Sequence, residues 1–436
     1  MSSDLRRDAR RIWDAAVAAV RPGPLVRAAL ADLGPDLAAA PRILVLGAGK
    51  AGGAMVEAVE DALADRLDRV KGIVNVPADA VKPLRRVRLH GARPKATNFP
   101  TAEGVRGAEE MLRLARSAGP DDVALCLLSG GGSALLPAPV DGISLEDKLA
   151  VTKLLHQCGA TINEMNAVRK HLSAIKGGRL AQAFAGKRLV SLIISDVVGD
   201  PLDVIASGPT APDASTFQET LDILARHQLR ARVPAAVLAH LERGAAGSMD
   251  ETPKAIPAHV TNVVLGNNAR ALIAAQTVAA QLGYAVLNLG SFIEGETRPV
   301  AMMHAGIVRS IRAQDIPMRP PACILSGGET TVTLASNAGM GGRNQEFVLA
   351  ALLKLGMEPN IAIVSGGTDG EDGPTDAAGA LADATTLARA AALGLDANAH
   401  LDRHDAYPFF KATNDLIITG LTQTNVMDVR VILVGT

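Results

Sequence analysis

The segment RILVLGAGKAGGAM, residues 42–55, runs from an apolar stretch through three spaced glycines into a segment rich in small residues. An apolar run that ends in such a turn predicts a buried strand followed by a helix. The same arrangement recurs along the chain, where short apolar runs alternate with longer Ala/Leu-rich segments of helical period. This alternation predicts an α/β fold with a mainly parallel sheet.

Several of the apolar runs are continuous, as is typical of strands that are buried on both faces. The predicted strands are 42–47, 72–76, 123–128, 188–194, 262–266, 284–290, 322–327, 361–366 and 415–420. The least patterned stretch, residues 242–259, mixes small, charged and proline residues, and it predicts a domain boundary. We therefore expect a larger N-terminal domain over residues 1–245 and a smaller α/β domain over residues 260–436.

The composition narrows the class of function. The 436 residues carry a formal net charge of -1, and only 2% of them are aromatic. Nucleic-acid binders usually have a basic surplus or aromatic stacking surfaces, so we expect no nucleic-acid partner. The three cysteines lack metal-ligand spacing, and no stretch is long and apolar enough to span a membrane. The sequence predicts a cytoplasmic protein that acts on small molecules.

The first glycine turn fits the dinucleotide-binding pattern G-x-G-x-x-G through Gly47, Gly49 and Gly52, with Lys50 inside the turn. A dinucleotide site also requires an acidic residue about 20 positions further on, and the second predicted strand ends without one. A lysine at the start of a helix opposes the positive end of the helix dipole, which favours an anion there. We interpret the turn as a phosphate-binding loop; a plain turn with a solvated lysine is the alternative.

Ser-Gly-Gly follows three of the predicted strands, in LLSGGGS (127–133), ILSGGET (324–330) and IVSGGTDG (363–370). Successive glycine amides can form a concave nest for phosphate or carboxylate oxygens. Ordinary turn chemistry is the alternative. The residues that we predict to contact such an anion are Ser129, Gly130, Gly131, Gly132, Ser133, Gly327 and Gly328.

Cations are concentrated in residues 163–181. On an ideal helix Arg169 shares a face with Ser173 and Lys176, and we predict that Arg169 and Lys170 contact an anionic ligand. A solvated basic face is the alternative. In the second half of the chain, Arg343 lies between a glycine loop and a predicted helix, where a guanidinium can clamp a phosphate.

Carboxylates follow two of the predicted strands. Asp196 comes directly after the fourth strand, where it could orient a substrate hydroxyl, accept its proton or hold Mg²⁺. Asp200 and Asp369 are further candidate Mg²⁺ ligands, with turn capping as the alternative. Glycine nests, cationic loops and acidic loops together are typical of phosphoryl transfer, which depends on positioning and charge neutralisation.

These motifs resemble those of the class II glycerate kinases, the MOFRL family, which phosphorylate D-glycerate at its 2-hydroxyl with ATP. The matching segments span residues 44–428 in order: LVLGAGKA, LLSGGGSALL, NAVRKHLSAIKGGRLA, SDVVGDPLDVIASGPT, LSGGETTVTL, GMGGRNQEF, SGGTDGEDGPTDAAGA and TQTNVMDV. The segment HGARPKATNFPTAEG, residues 90–104, departs from the family pattern, as does TGLTQTN near the C-terminus.

The resemblance implies a Rossmann-like N-terminal domain, a smaller α/β C-terminal domain and an active site in the cleft between them. It places the essential lysine at Lys50, the essential arginine at Arg343 and the hydroxyl-activating aspartate at Asp196. It also implies ATP and Mg²⁺ as cofactors. The basic segment at residues 169–179 is our own, lower-ranked candidate for a contact with the glycerate carboxylate. We leave a homodimer open, and we keep an NAD(P)H-dependent hydroxypyruvate reductase and a non-catalytic sugar-acid or nucleotide sensor as alternatives.

Overall fold

The computed structural model describes residues 5–94, 97, 99–334 and 337–436. The chain forms two compact units: an N-terminal unit, Pro22–Leu265, and a C-terminal unit that comprises Gly266–Thr436 and the segment ending at Arg21. The predicted division differs from these units at the start of the chain. The first helix, α1 (Leu5–Ala18), belongs to the C-terminal unit because its apolar face packs on the sheet there.

The N-terminal unit contains one six-stranded sheet. Its strands are β1 (Ile43–Ala48), β2 (Val70–Pro77), β3 (Val87–Arg93), β4 (Val123–Leu128), β5 (Arg188–Ile194) and β6 (Val260–Gly266). The strand order is β3-β2-β1-β4-β5-β6, and the pairings from β3 through β5 are parallel. This is the order of the doubly wound dinucleotide-binding fold, so the predicted parallel α/β architecture is confirmed.

The helices of the N-terminal unit either cover its sheet or pack on one another in a separate apolar cluster. They are α2 (Pro22–Asp32), α3 (Gly34–Ala39), α4 (Gly52–Ala62), α5 (Ala102–Arg116), α6 (Gly132–Leu135), α7 (Leu145–Gln157), α8 (Ile162–His171), α9 (Arg179–Ala183), α10 (Phe217–Arg226) and α11 (Ala235–Ala245). Capping boxes at Ser144 and Thr161 satisfy the first amides of α7 and α8. Helix α7 precedes the basic segment, residues 163–181, and α8 carries the first cations of that segment, Arg169 and Lys170.

The order of the strands reverses between β1 and β4, the two central strands. Every residue of both strands is buried, which explains why their sequences read as continuous apolar runs. In doubly wound sheets ligands bind beyond the carboxyl ends of the strands at such a reversal. The turn after β1 and the loop after β4 therefore lie where a ligand site is expected.

The C-terminal unit contains a seven-stranded mixed sheet. Its strands are β7 (Ala285–Asn288), β8 (Ile293–Glu296), β9 (Ala322–Thr331), β10 (Ile361–Gly367), β11 (Gly379–Asp383), β12 (Leu416–Ile417) and β13 (Asp428–Val434). Its other helices are α12 (Asn268–Gln281), α13 (Thr297–Gln314), α14 (Arg343–Leu355), α15 (Ala384–Ala392), α16 (Ala397–Asp402) and α17 (Ala406–Thr413). The strand order is β12-β11-β10-β13-β9-β7, with β8 beside β9. Strand β13 is antiparallel to both neighbours, so the parallel expectation fails here.

The second and third Ser-Gly-Gly segments lie inside β9 and β10, on either side of β13. Ser326 and Ser365 are both paired with Arg430 in the register of the sheet. The Ser-Gly-Gly of β9 thus lies inside a strand, whereas that of β10 forms the last three residues of its strand, and only the segment after β4 leads into a loop. The glycines of β9 and β10 allow close packing, since a Cβ at Gly366 would lie 2.8 Å from the ring of Trp13.

Among the helices of the described residues, none combines the length and apolar character needed to cross a bilayer.

The indole of Trp13 is fully buried, and its Nε1 donates to the carbonyl of Gly366 at 3.4 Å. We predict that Trp13→Ala lowers the free energy of unfolding of the C-terminal unit by about 3–5 kcal/mol, because it leaves a large cavity. Denaturant unfolding measures this loss. Arg11→Ala, at an exposed position of the same helix, should change the stability little. Equal losses in the two variants would contradict this account of how α1 is held.

Candidate functional site

The turn after β1 and the loop after β4 are bonded to each other at the carboxyl edge of the parallel sheet. The Lys50 amide donates to the Gly130 carbonyl at 2.9 Å, and the Ala51 amide donates to Ser129 Oγ at 3.0 Å. A Cβ at Gly49 would overlap Ser129 Oγ. The glycine of the first turn thus makes room for the second loop.

This packing corrects the prediction that Gly47 and Gly49 contact a cofactor. Gly47 has φ +143° and Gly49 has φ +152°, and each lies against the backbone or side chain of the neighbouring loop. In a dinucleotide site the second glycine lets the pyrophosphate approach the backbone. Here that position is adjacent to Ser129. The Ser129 hydroxyl accepts a hydrogen bond from the Ala51 amide, so Ser129 holds the turn and the loop together.

Gly131 is the part of the loop that two cations approach. It adopts the left-handed conformation, with φ +77°, and it precedes α6. A Cβ at Gly131 would lie 3.4 Å from Arg93 Nη2 and 3.7 Å from Lys50 Cγ. The predicted anion contacts at Gly131 and Lys50 are thus brought together, and the exposed lysine lies at the edge of the loop.

Arg93, at the end of β3, was missed by the sequence analysis. Its side chain is 3% exposed, and burial lowers the pKa of its guanidinium. Within the described residues its Nε has no hydrogen-bond partner. A buried guanidinium of this kind suits an anionic ligand. Sequence reasoning set this segment aside because residues 90–104 depart from the family pattern.

Ser133, at the other end of the loop, is the centre of a second cluster. Its Oγ accepts from Arg169 Nη2 at 2.7 Å and from Lys176 Nζ at 2.8 Å. The hydroxyl of Ser207 lies 2.7 Å from Ser133 Oγ and 3.3 Å from Lys176 Nζ. Arg169 and Lys176 therefore meet as predicted, although α8 ends at His171 and the two residues do not share a helix.

Two more cations lie close to this cluster. Lys148 donates to the Leu172 carbonyl and Arg179 to the Ser173 carbonyl, each at 2.9 Å. Burial, with Arg169 and Arg179 nearby, lowers the pKa of Lys148 to about 7. Burial and the neighbouring cations lower the pKa of Lys176 well below its usual value. Burial and mutual repulsion thus disfavour the charged forms of both lysines.

The loop that supplies Ser207 is strained. Ala206 has φ 52° and Ser207 has φ 61°, and both lie in the left-handed region although neither is glycine. Each such residue costs roughly 1–2 kcal/mol. Strain of this kind is concentrated at binding and catalytic sites. Ser207 was present in the sequence motif IASGPT but was given no role, because positive φ at a serine has no signal in the sequence.

Lys170 has a different role from the one predicted. Its Nζ lies 3.0 Å from Asp203 Oδ2 and 3.4 Å from Asp213 Oδ1, and its side chain is almost completely buried. The ammonium is therefore neutralised by two carboxylates. Lys170 therefore does not belong to the candidate site, because its ammonium is both paired and buried, with only 4% of the side chain exposed.

Asp196 lies just beyond the end of β5, the strand next to β4. It is thus on the same edge of the sheet as the loop at Ser129–Ser133. Asp200 follows in the same segment with φ 55°. In the part of the chain that the structure describes, no group of three or more His, Cys, Asp or Glu side chains is arranged to hold a metal ion. The Mg²⁺ contacts of Asp196, Asp200 and Asp369 stay predictions.

Arg343, the predicted phosphate clamp of the C-terminal unit, is the first residue of α14. Its Nε donates to Asp428 Oδ2 at 2.7 Å and its Nη2 to Asp428 Oδ1 at 3.0 Å. Glu329 Oε1 lies 3.1 Å from Nη2. These carboxylates raise the pKa of Arg343 against the opposing effect of its burial. The sequence did not predict this bidentate pair, which fixes the orientation of the guanidinium.

Asp372 caps the same helix from the turn after β10. Its carboxylate accepts the amide hydrogens of Asn344 and Gln345 at 3.0 and 2.9 Å. Burial raises the pKa of Asp372 to about 6, although both hydrogen bonds oppose the shift. Asp369, two residues after β10, accepts from the Glu371 amide at 3.2 Å.

The predicted anion contacts at Gly327 and Gly328 are also corrected. A Cβ at Gly327 would overlap Asn268 Oδ1, and one at Gly328 would overlap the Ile293 carbonyl. Both glycines are thus required by the packing of β9 against its neighbours. Their amides belong to a strand, whereas Gly130 and Gly131 lie in the loop between β4 and α6.

Comparison with known proteins gives matches over both units. Residues 8–242 match the family model described as "Domain of unknown function (DUF4147)", and residues 322–428 match the MOFRL family. A protein of Agrobacterium vitis named "Putative hydroxypyruvate reductase" is 43% identical over 428 residues, covering 98% of this chain and 94% of that protein. The "Glycerate 2-kinase" of Pyrococcus horikoshii is 38% identical over 394 residues, covering 90% of this chain and 87% of that protein. The crystal structure of glycerate kinase from Thermotoga maritima has a TM-score of 0.88 and 33% identity, covering 99% of both chains.

A doubly wound sheet with cations and glycine amides at its carboxyl edge is the architecture of α/β proteins that bind small anionic ligands. The matches, which extend over nearly the whole chain, then identify the group within this class. The chain belongs to the MOFRL family of class II glycerate kinases. The resemblance and the two-domain α/β fold expected from it are confirmed. The expectation of one active site shared by the two domains stays a prediction.

The depressed pKa of Lys148 predicts how stability depends on pH. Between pH 7 and about 10 the unfolded chain binds more protons than the folded chain, so the free energy of unfolding rises with pH, by at most about 1.4 kcal/mol per unit. Lys148→Met removes this contribution. The free energy of unfolding of the variant should exceed that of the wild type most at and below pH 7. This difference should become smaller towards pH 10.

Urea unfolding at several pH values measures this difference. The matched control is Lys153→Met, at an exposed position of the same helix, which should keep the pH dependence of the wild type. A Lys148→Met variant whose stability difference stays constant with pH would show that Lys148 titrates normally.

Proposed function

We propose that this protein transfers the γ-phosphoryl group of ATP to the 2-hydroxyl of D-glycerate, giving 2-phosphoglycerate and ADP. The observation that carries this proposal is the gathering of cations and glycine amides around the loop Ser129–Ser133 at the switch point of the sheet. Family membership and the name of the Pyrococcus horikoshii relative, "Glycerate 2-kinase", support the same substrate and the same position.

The reaction requires a nucleophile that loses a proton and a phosphoryl group whose charge is neutralised. The 2-hydroxyl oxygen attacks the γ-phosphorus, the bond from that phosphorus to the β–γ bridging oxygen breaks, and ADP leaves. Asp196, at the end of β5, would orient the hydroxyl and accept its proton. Lys50 and the amides of Gly130 and Gly131 would stabilise the negative charge on the transferred group, whereas the Gly132 amide donates to the Ser129 carbonyl at 3.1 Å.

Arg343 would add a second cationic contact to the transferred group. Its contacts with Asp428 use Nε and Nη2, so the guanidinium is held in one orientation while a third of the side chain stays exposed. Mg²⁺ enters the proposed reaction with the nucleotide as the Mg²⁺–ATP substrate, which proteins usually bind through one or two carboxylates and the phosphates. Asp196, Asp200 and Asp369 remain the candidate carboxylates.

The structure gives no support to a hydroxypyruvate reductase, the function named for the Agrobacterium vitis relative. A nicotinamide dinucleotide needs the backbone of the glycine turn for its pyrophosphate. In this chain Gly49 is in close contact with Ser129, and the Lys50 and Ala51 amides donate to the neighbouring loop. The backbone groups that would hold the pyrophosphate are already used.

Purified protein incubated with D-glycerate, ATP and Mg²⁺ should form ADP and 2-phosphoglycerate, identified by ³¹P NMR. A parallel incubation with hydroxypyruvate and NADH should leave the NADH unchanged. Consumption of NADH without formation of ADP would refute the kinase proposal. Formation of 3-phosphoglycerate would refute only the position of transfer, and binding without turnover would favour a sensor.

Lys50→Met should lower kcat by roughly 10² without unfolding the protein, because an exposed cation that neutralises developing charge is lost. Lys71→Met, at an exposed position of β2, is the matched control and should keep wild-type turnover. A near-normal kcat in the folded Lys50 variant would exclude this role.

For Arg343 the informative change is Arg343→Lys. Removing the charge altogether would leave Asp428 buried without its bidentate partner and would destabilise the unit. Arg343→Lys keeps the charge but loses the planar fork, and kcat should fall by roughly tenfold or more. A variant that unfolds at the wild-type denaturant concentration and retains full activity would show that the guanidinium geometry is not required.

A further inference from the structure

We infer that the cluster formed by Lys148, Arg169, Lys176, Ser133 and Ser207 binds the carboxylate of the acceptor substrate and thereby selects 2-hydroxy acids. Below, these five residues are called the carboxylate cluster. The inference rests on the proposed function, which it deepens by naming the group that recognises the acceptor. The argument depends on charge, on the set of donors and on the position of the cluster in the sheet.

The cluster contains three basic side chains without a neighbouring carboxylate among the described residues, which favours the binding of an anion. Within the part of the chain that the structure describes, Lys148, Arg169 and Lys176 have no carboxylate within ion-pair distance, in contrast to Lys170 beside them. They donate instead to hydroxyl and carbonyl oxygens, which carry no charge. Cations brought together in a buried setting without counter-charges are unfavourable unless a ligand supplies the negative charge. A bound anion would therefore compensate a cost that the folded chain otherwise bears.

The donor set suits one small anionic group. Arg169 offers the planar fork that matches two carboxylate oxygens, and Lys176 adds an ammonium donor on the same serine. The hydroxyls of Ser133 and Ser207 are hydrogen-bonded to each other at 2.7 Å, which leaves one hydroxyl hydrogen to donate to a ligand beside these cations. The strained backbone at Ser207 holds its hydroxyl in place. The cluster thus surrounds a compact group on several sides.

The cations at the other end of the loop offer a separate set of contacts for the nucleotide phosphates. Lys50 and Arg93 approach Gly131, whereas Arg169 and Lys176 contact Ser133, two residues further on. Lys50 is exposed, as a group that receives a large ligand should be. The loop Ser129–Ser133 therefore separates two cationic subsites, and 2-phosphoglycerate carries two anionic groups on neighbouring carbons. We assign its phosphate to the Gly131 end and its carboxylate to the Ser133 end.

This assignment also accounts for the position of transfer. A substrate held by its carboxylate has its 2-hydroxyl on the very next carbon, and the 3-hydroxyl lies one bond further away. Asp196 follows β5, the strand that pairs directly with β4, from which the loop departs. The proton acceptor is thus one strand away from the anchored group, which favours the hydroxyl adjacent to the carboxylate. Short 2-hydroxy acids are the substrate class that fits.

The test compares Arg169→Gln and Lys148→Met with the control Lys153→Met, which changes an exposed residue of the same helix as Lys148. In each cluster variant the KM for D-glycerate should rise by roughly 10–100-fold, while the KM for ATP stays within about twofold of wild type. Glyceramide, the neutral amide of the substrate, should be a poor substrate for the wild type. The preference for glycerate over glyceramide should fall in both cluster variants and stay unchanged in the control.

Calorimetric titration with D-glycerate alone supplies a second readout that needs no turnover. If the wild type binds D-glycerate and both cluster variants lose affinity, the inference holds even where no ADP is formed, and only the proposed function fails. A rise in the KM for ATP with an unchanged KM for D-glycerate would assign the cluster to the nucleotide and overturn the inference. Cluster variants that bind and turn over D-glycerate like the control would overturn it as well.

Discussion

The close approach of the turn after β1 to the loop after β4 is the constraint on which the rest of the site depends. Gly49 and Ser129 are in contact, and the Lys50 and Ala51 amides donate across the gap. Any side chain at Gly49 would separate the two loops. Their contact fixes Gly131 beside Lys50 and Arg93, and the same short loop then carries Ser133 to Arg169 and Lys176. One backbone contact at the switch point thus sets the position of both cationic subsites.

Both units contain buried ionisable side chains. In one unit the charges of such a group are compensated by partners of opposite charge, and in the other those of one described cluster are not. In the C-terminal unit the buried Asp428 is matched by Arg343 and Arg430, so the charges are compensated within the protein. In the N-terminal unit Lys148, Arg169 and Lys176 lie together, and the depressed pKa values of the two lysines record the repulsion and desolvation. An internally neutral network holds a side chain in place, whereas a network with excess charge attracts a ligand. Arg343 is thus oriented by its carboxylate partners, while a third of its side chain stays exposed.

The sequence predicted the architecture of the N-terminal unit well because strands buried on both faces leave continuous apolar runs, as in β1, β4 and β5. Prediction from the sequence failed where the role of a residue depends on partners that are distant in sequence. The Ser-Gly-Gly of β9 and β10 has the same letters as the loop after β4, yet its glycines serve close strand and helix packing, which only the partners Asn268 and Trp13 reveal. Lys170 and Arg169 are neighbours in sequence, and only the fold shows that one is paired with carboxylates and the other is not.

The position of α1 has a consequence for the way the chain folds during synthesis. This helix precedes the whole N-terminal unit in sequence, but its buried face, including Trp13, packs against β10, β13 and α12. Those elements lie after residue 266 and leave the ribosome last. Domains generally fold in order of synthesis. The apolar face of α1 therefore has no packing partners while Pro22–Leu265 is synthesised, and during that time it is open to chaperones and to aggregation.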